Sequence, residues 1–315
     1  MLNASIHQAG AARRPAIWLA AGAVAATLTM TQAAVVAQAR NESMFVSVLD
    51  ATGAPVTGLT VSDFVVEEDG TEREVLNVRP AVAPMQIAIL VDTSASVADA
   101  TGDLQRGLTT LVDQLAGGNE LALLSFGGTP RILVEATTRV DRLHDGIGRV
   151  FATPNEAAYL LDALVETARG FERRESARPI IIAITGEGLD YSNRDAKQVL
   201  QALKDSGAAA HMVVLTGTQN RTVNTDPAGF SLSDGIRERD LLLEMGPQAS
   251  GGQRRDLLLS SRLDTTLAEL AAIVMAQYEV VYSRPANLIP PDAITIRMRR
   301  DDLSARGTPV RRAGD

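Results

Sequence analysis

The 315-residue chain has no cysteine. That excludes disulfides, thiolate metal sites and cysteine nucleophiles together. Aromatic residues make up 3% of the chain, and the one tryptophan, Trp18, lies in an N-terminal apolar segment. A folded core must therefore be built from Leu, Val, Ile and Ala. Lysine occurs only at Lys197 and Lys204, so the basic charge is almost all arginine. Beyond the N-terminal segment the histidines are His144 and His211. Neither has a partner at metal-ligand spacing, which favours surface or structural roles over catalysis. The chain lacks the Gly-x-x-x-x-Gly-Lys phosphate loop, the Gly-x-Gly-x-x-Gly dinucleotide turn and the Gly-x-Ser-x-Gly nucleophile elbow.

At 45% apolar and 22% charged, the composition is that of a globular protein. The N-terminus has the texture of an export signal. Arg13 and Arg14 precede an apolar run from Ile17 to Val36, and Ala37-Gln38-Ala39 offers the small-x-small pattern of a cleavage site. Residues 1–39 are expected to be a signal peptide, which makes the mature protein secreted or periplasmic. A retained membrane anchor is the competing reading, since the run is almost long enough to span. Cleavage leaves 28 basic against 38 acidic residues, a balance of −10. An acidic surface argues against nucleic acid and anionic lipid as partners. Arg297, Arg299, Arg300, Arg306, Arg311 and Arg312 form a local basic end, read as a solvated strand face and tail.

Residues 40–84 read as a β segment. Phe45 to Leu49 and Phe64 to Val66 are strands, and Asp69-Gly70 is a hairpin turn between the latter and Val75 to Val78. From residue 85 to 276 the chain alternates strands and helices. Ile87 to Val91 and Ile180 to Ile184 are continuous apolar runs, as buried parallel strands require. Leu104, Leu108, Leu111, Val112 and Leu115 are spaced for a helix. Further strands are expected at Leu121 to Phe126, Ile132 to Val134, Met212 to Leu215 and Leu257 to Leu259. A polar loop from Gly217 to Gly235 is long enough to be either functional or mobile. Residues 277–315 return to β, with alternation at Tyr278 to Tyr282 and at Ile294, Ile296 and Met298. The expected fold is α/β, a doubly wound and mainly parallel sheet, with a small β unit formed by the two flanking segments.

Ligands of open α/β sheets bind at the carboxyl ends of the strands. After the first apolar strand that position holds Asp92-Thr93-Ser94-Ala95-Ser96. The spacing aims one carboxylate and two hydroxyls at one point, and oxygen ligands suit Mg²⁺ or Mn²⁺. This Asp-x-Ser-x-Ser resembles the metal-ion-dependent adhesion site of the von Willebrand factor type A family. The leading β segment, with Asp63-Phe64 and Glu68-Asp69-Gly70, and the closing Gln277 to Ser283 are similar to a bacterial secreted branch described mainly from Acidobacteria.

The resemblance implies a Rossmann-like fold and a non-enzymatic, adhesion-type protein-binding module, with Asp92, Ser94 and Ser96 as candidate metal residues. It also marks two departures. Leu160-Leu161-Asp162-Ala163-Leu164 matches the family's second loop, but the preceding threonine position is Ala158. The third loop reads Thr185-Gly186-Glu187-Gly188 where the family has Thr-Asp-Gly. One hydroxyl and one carboxylate are thus missing. Ala158 and Gly186 are expected to leave a gap opposite a solvent-open Asp92 cluster, which Glu187, Asp190 or Thr153 would have to fill. The partner is expected to be a protein. A metal-independent structural or assembly role is the alternative, and a hydrolase using Ser94 the remote third.

Overall fold

The computed structural model describes residues 39–217, 232–286, 289, 291 and 293–309. The expected signal segment up to residue 38, residues 218–231 of the polar loop and the arginines at 311 and 312 lie outside these. Four strands come first: β1 (Ala39–Leu49), β2 (Phe64–Glu68), β3 (Thr71–Arg73) and β4 (Val75–Pro80). Then follow β5 (Gln86–Val91), α1 (Thr101–Leu115), β6 (Glu120–Ser125), β7 (Arg131–Thr137), α2 (Val140–Ile147), α3 (Leu160–Arg173) and β8 (Pro179–Gly186). α4 (Ala196–Ser206), β9 (Ala209–Leu215), α5 (Leu232–Ser250), β10 (Arg254–Leu257) and α6 (Leu263–Met275) complete this part. β11 (Tyr278–Pro285), β12 (Ile294–Met298) and β13 (Ser304–Pro309) close the chain.

The central sheet has six strands in the order β10-β9-β8-β5-β6-β7. Only β7 is antiparallel. Because strand side chains alternate, β5 feeds two cores. Ile87, Ile89 and Val91 pack with α1, α2 and α6. Ala88 and Leu90 pack with α3, α4 and α5. With both faces covered, β8 is buried along its whole length, which explains its unbroken apolar run. The chain winds outward from β5 through β6 in one direction and through β8 in the other. The carboxyl end of β5 is therefore the switch point at which such sheets open a crevice.

The flanking segments do pair, as their alternation predicts. β1 lies antiparallel to β11, and β11 to β4, while β12 pairs with β2. The result is a four-stranded sheet facing a three-stranded one. Met44, Val46, Val48, Phe64, Val66, Tyr278, Val280 and Tyr282 fill the space between. Inside it, the Glu68 carboxylate takes Arg73 Nε at 3.0 Å and the Tyr282 hydroxyl at 3.2 Å.

Two expectations are corrected. Asp69 (φ 48°) and Gly70 (φ 76°) both adopt left-handed backbone. Such a two-residue turn joins adjacent residues at once, so Glu68 pairs with Thr71 and the return strand is β3, not 75–78. β4 crosses to the other sheet. The strand expected at 257–259 instead ends at Leu257. An edge strand buries one face only, so Arg254 and Asp256 sit on the solvent side and pair at 2.9 Å, while Leu258 and Leu259 belong to the next loop.

The alternate face of β1 joins sandwich to sheet. Phe45 lies 4.9 Å from the guanidinium carbon of Arg178. Arg178 is buried and donates to the carbonyls of Ala83 (2.9 Å) and Val274 (3.3 Å) and to Gln277 Oε1 (2.8 Å). Burial lowers its pKa to about 10, although Glu279 acts the other way.

His211 in β9 is fully buried, and neither ring nitrogen has a hydrogen-bond partner among the described residues. Burial first, then Arg306 and Arg255, lowers its pKa from 6.5 to about 4. The unfolded chain therefore takes up the proton more readily than the fold. The stabilisation from keeping this ring neutral is complete above pH 6.5 and is lost as the pH falls toward 4. The full loss is about 3 kcal/mol. Urea unfolding across this range should show it, and His211→Leu should flatten that part of the profile. An unchanged profile would dismiss the buried neutral ring as its source.

Candidate functional site

The backbone turns sharply where β5 ends. Asp92 Oδ1 accepts the amide of Ser94 at 2.8 Å, and Ser94 Oγ accepts the amide of Ser96 at 3.3 Å. These side chains thus cap the short 3₁₀ turn Ala95–Ala100 that leads into α1. Ser94 Oγ and Ser96 Oγ share a hydrogen bond of 2.8 Å. The expected clustering of Asp92, Ser94 and Ser96 is present, and the i, i+2, i+4 spacing produces it.

Asp92 and Ser94 are buried, and Ser96 is half-buried, so the expected solvent-open Asp92 is not found. Asp92 has 0% exposure. Its Oδ2 faces β8 and accepts the amide of Gly186 at 3.0 Å, the Thr185 hydroxyl at 3.1 Å and the Ser96 hydroxyl at 3.3 Å. Four donors thereby surround one carboxylate, which is what a buried charge requires.

Nor do Ala158 and Gly186 leave a gap. A Cβ at Gly186 would lie 2.5 Å from Ser96 Oγ and 2.9 Å from Val97 Cγ1, so the serine and valine already fill the space an acid would need. Ala158 is buried and forms short β-bridges with Gly127 and Asp190. The carboxylates of Glu187 and Asp190 are engaged elsewhere. Glu187 is exposed and accepts the amide of Gly217 at 2.9 Å. Asp190 accepts the amide of Leu160 at 2.7 Å and that of Ser192 at 2.9 Å, tying the start of α3 to the loop after β8. Burial raises its pKa, against the pull of Ser192, Leu160 and Arg239. Thr153 is exposed, and its amide donates to the carbonyl of Thr93 at 2.8 Å.

A charged side chain outside the sequence motif completes the site. Arg239 of α5 is 3% exposed. Its guanidinium donates to the carbonyl of Gly186, to Thr185 Oγ1 at 3.3 Å and to the carbonyl of Gly188 at 3.2 Å. Gly186 is thus held from two sides, its amide on Asp92 and its carbonyl on Arg239. Burial lowers the Arg239 pKa, while Asp92, Asp190, Asp240 and Glu187 pull it back up. The signal was available in the sequence. Arg239 falls on the stripe of Leu242, Leu243, Gly246 and Ser250, the face that α5 buries. A charge on an apolar stripe marks an internal partner.

These groups do not fit a divalent ion. The one carboxylate is occupied by four donors, the remaining oxygens are neutral hydroxyls, and a guanidinium stands against the same strand end. No group of three or more His, Asp or Glu among the described residues is arranged to hold a metal.

The rim around this buried cluster is apolar in places. Phe151, Leu258 and Leu259 are 61%, 82% and 63% exposed. The N-terminal part of α1 holds both loops. Gln105 Nε2 donates to the carbonyl of Val150 at 3.0 Å, and Asp103 accepts the hydroxyl of Ser260.

Residues 87–189 match the model of the von Willebrand factor type A domain. No curated protein matches the chain. Among solved structures, a von Willebrand factor type A protein from Catenulispora acidiphila is 14% identical with a TM-score of 0.48, over 81% of this chain and 63% of that one. An aerotolerance-related membrane protein from Bacteroides fragilis NCTC 9343 is 15% identical with a TM-score of 0.43, over 60% and 98%. Proximal thread matrix protein 1 of the mussel byssus, in a form with a zinc-occupied MIDAS motif, is 16% identical with a TM-score of 0.43, over 66% and 49%.

Gly127 follows β6 and lies against the Asp92 loop. A Cβ there would meet Thr93 C at 2.2 Å and Ser94 N at 2.4 Å, both backbone atoms that cannot rotate away. Gly127→Ala should cost about 3 kcal/mol, the upper part of the overpacking range. Chemical denaturation measures it. A variant as stable as the parent would show that the loop can shift without penalty.

Proposed function

We propose that the protein is an exported, non-enzymatic module that binds a protein partner through the rim above Asp92, a reading supported by the match of residues 87–189 to the von Willebrand factor type A domain model. The observation that carries this reading is the exposure of Phe151, Leu258 and Leu259 on two loops at the carboxyl side of the sheet. Large apolar side chains left in water at the ligand-binding edge of an α/β fold suit burial by a protein surface. The surrounding acidic balance suits a partner without anionic phosphate or lipid.

Export rests on Arg13-Arg14, the apolar run 17–36 and Ala37-Gln38-Ala39. Among the described residues no helix is long and apolar enough to cross a membrane.

Two measurements test this reading. N-terminal sequencing of the protein recovered from the cell envelope or medium should begin at residue 40. An intact Met1 in a membrane pellet would count against cleavage. Affinity capture from the same fractions should retain a partner on the parent protein. Phe151→Asp and the double change Leu258→Asp/Leu259→Asp should lose it at least tenfold while melting as the parent does. Equal retention by all three proteins would remove the rim from the interaction.

A further inference from the structure

We propose that Arg239 is the resident cation of this site: a guanidinium built into α5 takes the charge-balancing place that a divalent ion holds in adhesion-type sites, so the Asp92 loop assembles without metal. The inference concerns how the site is built, and it does not rest on the partner reading.

Geometry carries it. Asp92 is a fully buried carboxylate whose Oδ2 is bound by the Thr185 hydroxyl and the Gly186 amide. Arg239 reaches the same two residues from the other side, at Thr185 Oγ1 and the Gly186 carbonyl, and continues to the Gly188 carbonyl. Asp92, Asp190, Asp240 and Glu187 all act electrostatically on this one guanidinium. A dipositive ion placed beside it would be repelled and would have to strip Asp92 of its donors.

The departures from the family motif follow the same logic. An acid at 186 would help balance a charge of two. The single positive charge of Arg239 already answers the buried carboxylates of Asp92 and Asp190, and position 186 is a glycine whose Cβ space Ser96 and Val97 occupy. Arg239 Nε has no partner among the described residues. Its planar head is thus committed through its terminal nitrogens, with three acceptors along a single loop.

Manganese(II) titration followed by electron paramagnetic resonance, together with thermal unfolding, tests the proposal on the full chain. The parent should show no saturable Mn²⁺ binding up to about 1 mM, and it should melt at the same temperature in chelator and in Mn²⁺. Arg239→Met should melt about 5–10 °C lower, and Mn²⁺ should recover part of that loss. The recovery should vanish in Asp92→Asn/Arg239→Met. Arg239→Lys, which keeps the charge, should melt between the parent and the Met variant.

Saturable Mn²⁺ binding by the parent that disappears in Asp92→Asn overturns the proposal. So does an Arg239→Met protein that melts like the parent, or one that melts lower but ignores Mn²⁺. Should the Met variant fail to fold, a folded Lys variant supports the charge role. A Lys variant that fails in the same way overturns it.

Discussion

The site depends on two opposite charges buried on either side of one residue, Gly186. Asp92 takes the amide of Gly186, and Arg239 takes its carbonyl. They are joined through Gly186 and Thr185, which hydrogen-bond both, so each buried charge has its own polar partners. The arrangement therefore fixes more than itself. It requires α5 to dock with Arg239 inward, β5 and β8 to end in register, and the turn after Asp92 to carry donors. The loops that bear Phe151, Leu258 and Leu259 hang from α1, the helix which that turn begins.

The other end of β8 is held by similar means. Arg178, the residue before Pro179, spends its donors on the carbonyls of Ala83 and Val274 and on Gln277, and its face covers Phe45 of the β-sandwich. This fully buried strand thus begins and ends at a buried guanidinium hydrogen-bonded mainly to backbone carbonyls. Arginine suits both positions. Its fork of donors is rigid, always charged and more weakly hydrated than an ammonium. This fits a chain with two lysines in all, at Lys197 and Lys204, whose side chains lie on α4. Arg178 thereby ties the sandwich to the amino ends of the strands, opposite the Asp92 rim.

The fold was legible wherever one physical rule governed a segment. β5 and β8 announced themselves as two-sided burial, and the flanking strands announced their pairing by alternation. Legibility failed where one residue had to satisfy two rules. β10 mixes arginine and aspartate because only one face is covered, so its composition resembled a loop and the leucines beyond it resembled a strand. The turn at Asp69-Gly70 was recognised, but the register it imposes on Thr71 needs the left-handed angles of both residues. In the site, the i, i+2, i+4 motif correctly grouped Asp92, Ser94 and Ser96. It could not tell whether the carboxylate faces solvent or β8, since that depends on donors more than ninety residues away. Arg239 was legible in principle, as a charge on the apolar stripe of α5. Its partner was not, because helical periodicity names a face and not what the face meets.

The two departures at Ala158 and Gly186 need not be losses. A site that borrows its positive charge from solvent can be emptied, and its loops can then relax as the carboxylates repel. A site that carries its charge on a helix cannot be emptied without unfolding that helix. With Arg239 in place, the Asp92 loop gains a fixed shape and gives up dependence on ion concentration. What remains variable is the surface above it, where Phe151, Leu258 and Leu259 meet water. In the proposed reading, recognition falls to shape and apolar contact on those loops, while Asp92 and Arg239 below keep them in position. In that same reading, a fold whose cation is covalently part of the chain serves as a scaffold whose specificity resides in its rim.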